Sequence, residues 1–209
     1  MMTIEQKLAK YIESNNFKYI VWDFDLVIYK LDWTKGETSY QFLERLYSVF
    51  HDIDPKLIQD KEEFINRLFP YTEIDLYSRK YGKSAVQKSI DLFQEREMNA
   101  IEYAIPNVDI IDFIKSSSEN LKHAVWSNNN LKTIEYLLEQ SKMTNEFVTI
   151  ASLDNVKYPK PDISGFEKIS DKLNNPDRNK MLMVGDSLRS DKIAAQNAGI
   201  SFFHFIKSF

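Results

Sequence analysis

Three observations predict an α/β fold, a doubly wound parallel sheet carrying an inserted helical subdomain. Five short apolar runs are near-continuous rather than alternating, the pattern of strands buried on both faces. Apolar residues at helical spacing fill most gaps between them, so strands and single helices alternate with right-handed crossovers. One long stretch, from about Leu31 to Tyr103, has helical patterns and no strand-like run of comparable strength.

Taken in chain order, the first strand is Tyr19-Ile20-Val21-Trp22. The insertion follows, with apolar stripes at Tyr40, Leu43, Leu46 and Phe50, at Leu57, Phe64 and Leu68, and at Val86, Ile90 and Phe93. Pro106-Asn107 marks the return to the sheet. A helix on Val108, Ile111 and Ile114 precedes a strand at His123-Ala124-Val125-Trp126. Leu131, Ile134 and Leu138 form the next helix, then Phe147-Val148-Thr149-Ile150-Ala151 the next strand. Ile163, Phe166 and Ile169 lead to the strand Met181-Leu182-Met183-Val184. Ile193, Ala194 and Asn197 continue as a helix stopped by Gly199, before a last strand at Phe202-Phe203-His204-Phe205-Ile206. The expected division is a core of residues 1–30 and 104–209 with a helical subdomain at 31–103.

A length of 209 residues with 43% hydrophobic content supports a real core. A net charge of -4 gives no basic face for a nucleic-acid partner. The absence of cysteine excludes disulfides, thiol catalysis and cysteine-based zinc sites. Residues 1–16 intersperse charges among apolar positions, so no signal peptide is expected, and no apolar run can span a bilayer. A cytoplasmic monomer or homodimer, with no membrane partner, fits these features.

Function in open parallel sheets collects beyond the carboxyl ends of the strands. There the sequence offers Asp23-Phe24-Asp25, Ser127-Asn128-Asn129, and Gly185-Asp186-Ser187 with Asp191 soon after. Lys160 lies in a proline-flanked loop ahead of the fourth strand. Asp23 and Asp25 share a side of an extended chain at ~6.6 Å and can flank one reacting group, one as nucleophile and one as proton donor. Crowded carboxylates call for a cation, and an oxygen-only set favours magnesium. Lys160 and the Ser127 hydroxyl can hold the oxygens of a tetrahedral anion, which suits phosphoryl transfer.

These residues resemble the haloacid dehalogenase (HAD) superfamily, in its phosphatase branch with a helical C1 cap, similar to phosphoglycolate phosphatases and nucleotidases. Four motifs carry the resemblance in family order over about residues 18–206: Asp23-Phe24-Asp25, Ser127, Lys160-Pro161 and Gly185-Asp186 with Asp191. The resemblance implies a magnesium-dependent hydrolase of a small phosphorylated metabolite. In it Asp23 is nucleophile and metal ligand. Asp25 is the acid and base, and its main-chain carbonyl touches the metal. Ser127 and amides around Asn128 bind the phosphoryl group, Lys160 neutralises charge, Asp186 binds metal and Asp191 orients Lys160 or a metal-bound water. A phosphomutase is the alternative enzyme, ahead of a 2-haloacid dehalogenase, whose branch usually lacks the second Asp, and of a non-catalytic binding protein.

Two positions depart from the family pattern. Leu26 stands where glycine is usual, and Asn107 stands where many members have a glycine whose left-handed backbone asparagine tolerates. Taken singly, Ser127 reads as a helix N-cap, as does Asp162, and the histidines read as structural. The basic run Arg79-Lys80-Tyr81-Gly82-Lys83 reads as a solvated face, or else as a lip over the site.

Overall fold

The computed structural model describes residues 2–66 and 70–207. An N-terminal helix, α1 (Ile4–Asn15), is closed by a capping box between Thr3 and Gln6. It leads into β1 (Tyr19–Trp22), and β2 (Tyr29–Lys30) follows a tight turn. Four helices come next: α2 (Ser39–Ile53), α3 (Lys61–Asn66), α4 (Tyr71–Tyr81) and α5 (Gln87–Ala100). The chain returns through β3 (Ile105–Pro106), which pairs antiparallel with β2. Then come α6 (Val108–Ser117), β4 (Lys122–Trp126), α7 (Leu131–Gln140), β5 (Phe147–Ala151), α8 (Ser164–Lys172), β6 (Met181–Gly185), α9 (Asp191–Ala198) and β7 (Ser201–His204).

The main sheet has the order β5-β4-β1-β6-β7, and every pairing in it is parallel. From β1 the chain winds outward through β4 to β5, then crosses back to β6 and β7. The direction therefore reverses beside β1, and a crevice opens there beyond the strand ends. Helices cover both faces, and the pleat sorts the side chains. Ile20, Trp22, Val125, Leu182 and Val184 pack with α1, α6 and α7. Val21, Ala124, Trp126, Met181 and Met183 pack with α8 and α9. The three central strands are buried as their composition predicts. The outer strands β5 and β7 are only partly covered, because each has one sheet neighbour.

The insertion has a core of its own, built on Phe42, Leu46, Phe50, Phe64, Tyr77, Ile90 and Phe93. Leu153, from the loop after β5, plugs into it. Some details differ from the sequence reading. Tyr40 and Ile193 are exposed, while Phe42, Val49, Ala195 and Ala198 face inward. Leu46, Phe50 and Ala194 are buried as expected, so the stripes of α2 and α9 are shifted at their edges rather than replaced. Leu68 lies outside the described residues. Asn107 is not left-handed, with φ -84. Its side chain instead donates from Nδ2 to the Val27 carbonyl and accepts from Lys207, work that glycine cannot do.

The buried histidine is structural as expected. His123 Nδ1 accepts from Trp22 Nε1 at 3.0 Å, which leaves its proton on Nε2, 3.1 Å from Ser117 Oγ. Burial lowers its pKa to about 4. Among the described residues, no helix is long and apolar enough to cross a membrane.

Candidate active site

The crevice holds a cleft of about 380 Å³. Asp23, Asp25, Ser127, Asn128, Lys160, Asp186 and Asp191 all line it, so every site residue read from the sequence meets there. The sheet explains the convergence. Parallel register places Trp22 beside Val125 and Val184, so Asp23, Ser127 and Asp186, which follow the last residues of the three strands, emerge at the same sheet edge.

Lys160 is the hub. Only 2% of its side chain is exposed, and its Nζ donates to Asp23 Oδ1 at 2.8 Å and to Asp191 Oδ1 at 2.5 Å. Burial alone would lower its pKa, but the two carboxylates outweigh that and raise it, so the ammonium persists. Asp191 is fixed at its other oxygen by the Ser187 amide at 3.0 Å. Gly185 makes this approach possible: a Cβ there would lie 2.3 Å from Asp191 Oδ2. A side chain at position 185 would therefore push Asp191 off Lys160.

Carboxylate oxygens of Asp23, Asp186 and Asp191 lie within 4.8 Å of one another. One ammonium does not balance three acids. Burial, then repulsion from Asp23, pushes Asp186 up to about 8, and the same causes push Asp191 to about 6. An oxygen-only set under such repulsion fits a hard divalent cation.

Asp25 faces a different environment. Its Oδ2 accepts from Trp33 Nε1 at 2.7 Å, and its Oδ1 accepts from the amides of Leu31 and Leu26 at 2.9 and 3.1 Å. Burial outweighs these bonds and raises its pKa to about 6. Two carboxyls two residues apart are thus set to different tasks, one beside an ammonium and one able to hold a proton. Leu26 adopts the left-handed backbone, φ 62, that glycine would take at low cost.

The loop after β4 is fastened side chain by side chain. Asn128 makes a paired contact with the Lys160 main chain, donating at 3.1 Å and accepting at 2.8 Å. Ser127 Oγ donates to Asn129 Oδ1 at 2.9 Å. Ser127 does not cap α7. The first amides there go to acids from elsewhere, Asn130 to Glu97 at 2.9 Å and Leu131 to Asp154 at 2.8 Å. Asp162 does serve a local capping role, accepting from the Ser164 amide at 2.8 Å.

The basic run at the end of α4 and just beyond it is neither simply solvated nor among the cleft's lining residues. Arg79 bonds Asp75 and Asp162 and stacks on Tyr158, Lys80 meets Asp54, and Lys83 donates to the carbonyls of Leu153, Asp154 and Val156. Arg79 and Lys83 thus fasten the insertion to the core. Sequence reading missed Trp33 and Tyr71, which line the cleft from the insertion, and Glu97. Glu97 left a signal: it lies on the stripe Ile90, Phe93, Ala100, where a charge is out of place.

The sequence model of the haloacid dehalogenase-like hydrolases matches residues 20–205. The chain belongs to this family. Pyrimidine 5'-nucleotidase YjjG of Escherichia coli (strain K12) is 27% identical to this hydrolase over 108 residues, 51% of this chain and 48% of that protein. The match thus spans about half the length of that curated relative. CbbY from Rhodobacter sphaeroides, in complex with phosphate, superposes with a TM-score of 0.58 at 16% identity, covering 92% of this chain and 87% of that one. YfnB from Bacillus subtilis, bound to magnesium, gives 0.52 at 16% identity, over 89% and 85% of the two chains. These likenesses are of fold.

Proposed function

We propose that this hydrolase is a magnesium-dependent phosphatase of small phosphorylated metabolites, working through an aspartyl-phosphate on Asp23. The observation that carries the reading is the pairing of Asp23 with Lys160 at 2.8 Å inside an acidic cluster, with a protonatable Asp25 two residues on. Asp23 Oδ attacks phosphorus as the ester P–O bond breaks, and Asp25 gives its proton to the departing oxygen. Asp25 then takes a proton from water, whose oxygen attacks phosphorus and frees Asp23. Lys160 offsets charge on the nucleophile and the transferring group, and Asp191 holds Lys160 in place. Ser127 and the amides near Asn128 cradle the phosphoryl oxygens. Asp23, Asp186 and the Asp25 carbonyl would hold the magnesium, which when bound would supply charge neutralisation for the transferring group.

We further read residues 31–103 as the cap on a core of 1–30 and 104–209. The β2–β3 ribbon at the base of the insertion supports that division. A cleft of about 380 Å³ suits a small ester. The relative YjjG, a pyrimidine 5'-nucleotidase by name, keeps nucleoside monophosphates among the candidates, beside sugar phosphates and phosphoglycolate-like acids.

The test is hydrolysis of p-nitrophenyl phosphate with magnesium. Asp23→Asn is expected to lower turnover by at least about 10³-fold with the fold intact, since the nucleophile is lost. Undiminished turnover in that variant would falsify the assignment of the nucleophile.

A further inference from the structure

One buried acid has no part in the proposed reaction and does not line the cleft. Glu97, on α5 of the insertion, is wholly buried. Its Oε2 accepts from the Asn130 amide at 2.9 Å, and its Oε1 accepts from Asn130 Nδ2 at 3.3 Å. The preceding residue, Asn129, meets Ser127 twice: its Oδ1 accepts from Ser127 Oγ at 2.9 Å, and its main-chain amide donates to the same Oγ at 3.2 Å. Glu97 is therefore linked to Ser127 through the Asn129–Asn130 peptide, with the acid holding Asn130 and Asn129 holding the hydroxyl.

We propose that Glu97 is a positioning residue for the loop 127–130, one that makes the aim of Ser127 depend on how the insertion sits on the core. This rests on the reading above, in which that loop holds the phosphoryl group. Burying an acid under a largely apolar helix face is costly, and the start of helix α7 helps offset it, since the Asn130 amide donates to the carboxylate. A hydrophobic residue would pack the stripe of α5 without that cost, so packing alone does not account for an acid here. Ser127 needs a fixed rotamer to meet a phosphoryl oxygen, and its anchor Asn129 is joined directly to Asn130, which Glu97 holds from across the boundary between insertion and core. If α5 shifts, the anchor loosens. Substrate binding and seating of the insertion are thereby linked through one side chain.

The prediction separates binding from chemistry, because Glu97 touches neither nucleophile nor acid. Glu97→Ala is expected to raise KM for p-nitrophenyl phosphate, and the inhibition constant of inorganic phosphate, by about tenfold. Its kcat should stay within about threefold. Glu97→Gln keeps an acceptor for the Asn130 amide and should recover part of the loss. Amide hydrogen exchange over residues 127–131 should quicken in Glu97→Ala. Arg79→Met, which cuts a different tie between insertion and core, should leave KM within about twofold. Unchanged KM and unchanged loop exchange in a folded Glu97→Ala would overturn the proposal, as would an equal KM rise in Arg79→Met. Should Glu97→Ala not fold, Glu97→Gln carries the same comparison, and wild-type values there count against the idea. Should the unaltered protein hydrolyse no phosphate ester, the functional reading fails separately, and loop exchange still reports whether Glu97 orders residues 127–131.

Discussion

The sheet edge and the insertion handle charge in opposite ways. At the sheet edge, Asp23, Lys160, Asp186 and Asp191 come from three distant stretches of chain and meet within a few ångströms, largely shielded from water. In the insertion, Arg79, Lys80 and Lys83 are close in sequence yet disperse to separate partners, Arg79 and Lys80 on the exposed surface. Density of charge along the chain is a poor guide to density of charge in space. What concentrates field is burial of groups that the topology forces together, since nearby water would screen them.

That contrast is open to test, and the largest effect belongs to the sheet edge. Lys160→Ala should leave Asp23 and Asp191 buried without their shared cation. We expect a stability loss of about 3 kcal/mol by thermal or denaturant unfolding. Hydrolysis should fall by about 10²-fold or more, given the part of Lys160 in offsetting charge. Near-wild-type stability would mean that the cluster is better solvated than its burial implies.

Glu97 is an exception within the insertion, a charge treated as the sheet edge treats its own. Burial raises its pKa from an ordinary 4.5 to about 7. The folded protein thus holds this proton more tightly than the unfolded chain does. Stability from that source is full below about pH 4.5 and is lost as pH rises through about 7. Glu97→Gln removes the titration, so wild type should lose about 3 kcal/mol more than the variant between pH 4.5 and 8. Parallel pH profiles of unfolding would show that the carboxylate is fully compensated by its donors.

The smallest effects belong to the dispersed charges. Lys83→Met strands three carbonyls and should cost about 1–3 kcal/mol with little change in turnover. Arg79→Met removes a largely exposed pair and should cost less than about 1 kcal/mol. A larger loss from Arg79 than from Lys83 in urea unfolding would reverse the ranking by burial.

The legible parts of this protein share a physical cause. Tyr19–Trp22 and Met181–Val184 read as buried strands because central strands of a parallel sheet have no polar face. Asp23, Ser127 and Asp186 read as site residues because each ends such a run. The misread parts have causes too. In α9 the buried stripe is Ala194, Ala195 and Ala198, small residues with a weak hydrophobic signal, so of these the sequence pattern picks out only Ala194, beside the exposed Ile193. Ser127 resembled an N-cap, but Glu97 and Asp154 had already taken the first amides of α7. Asn107 reads as a stand-in for backbone freedom, but its side chain instead bonds Val27 and Lys207, a long-range role that no local pattern records.

The sequence by itself determined the sheet, the order of its strands along the chain and the groups waiting at their ends, because these follow from local patterns of burial and from residue chemistry. Only the tertiary structure decided which charges meet, that Trp33 would hold Asp25, and that Glu97 would reach across to the loop of Ser127. Those choices depend on how two separately packed cores are docked, and no periodicity within either one records the angle at which they join.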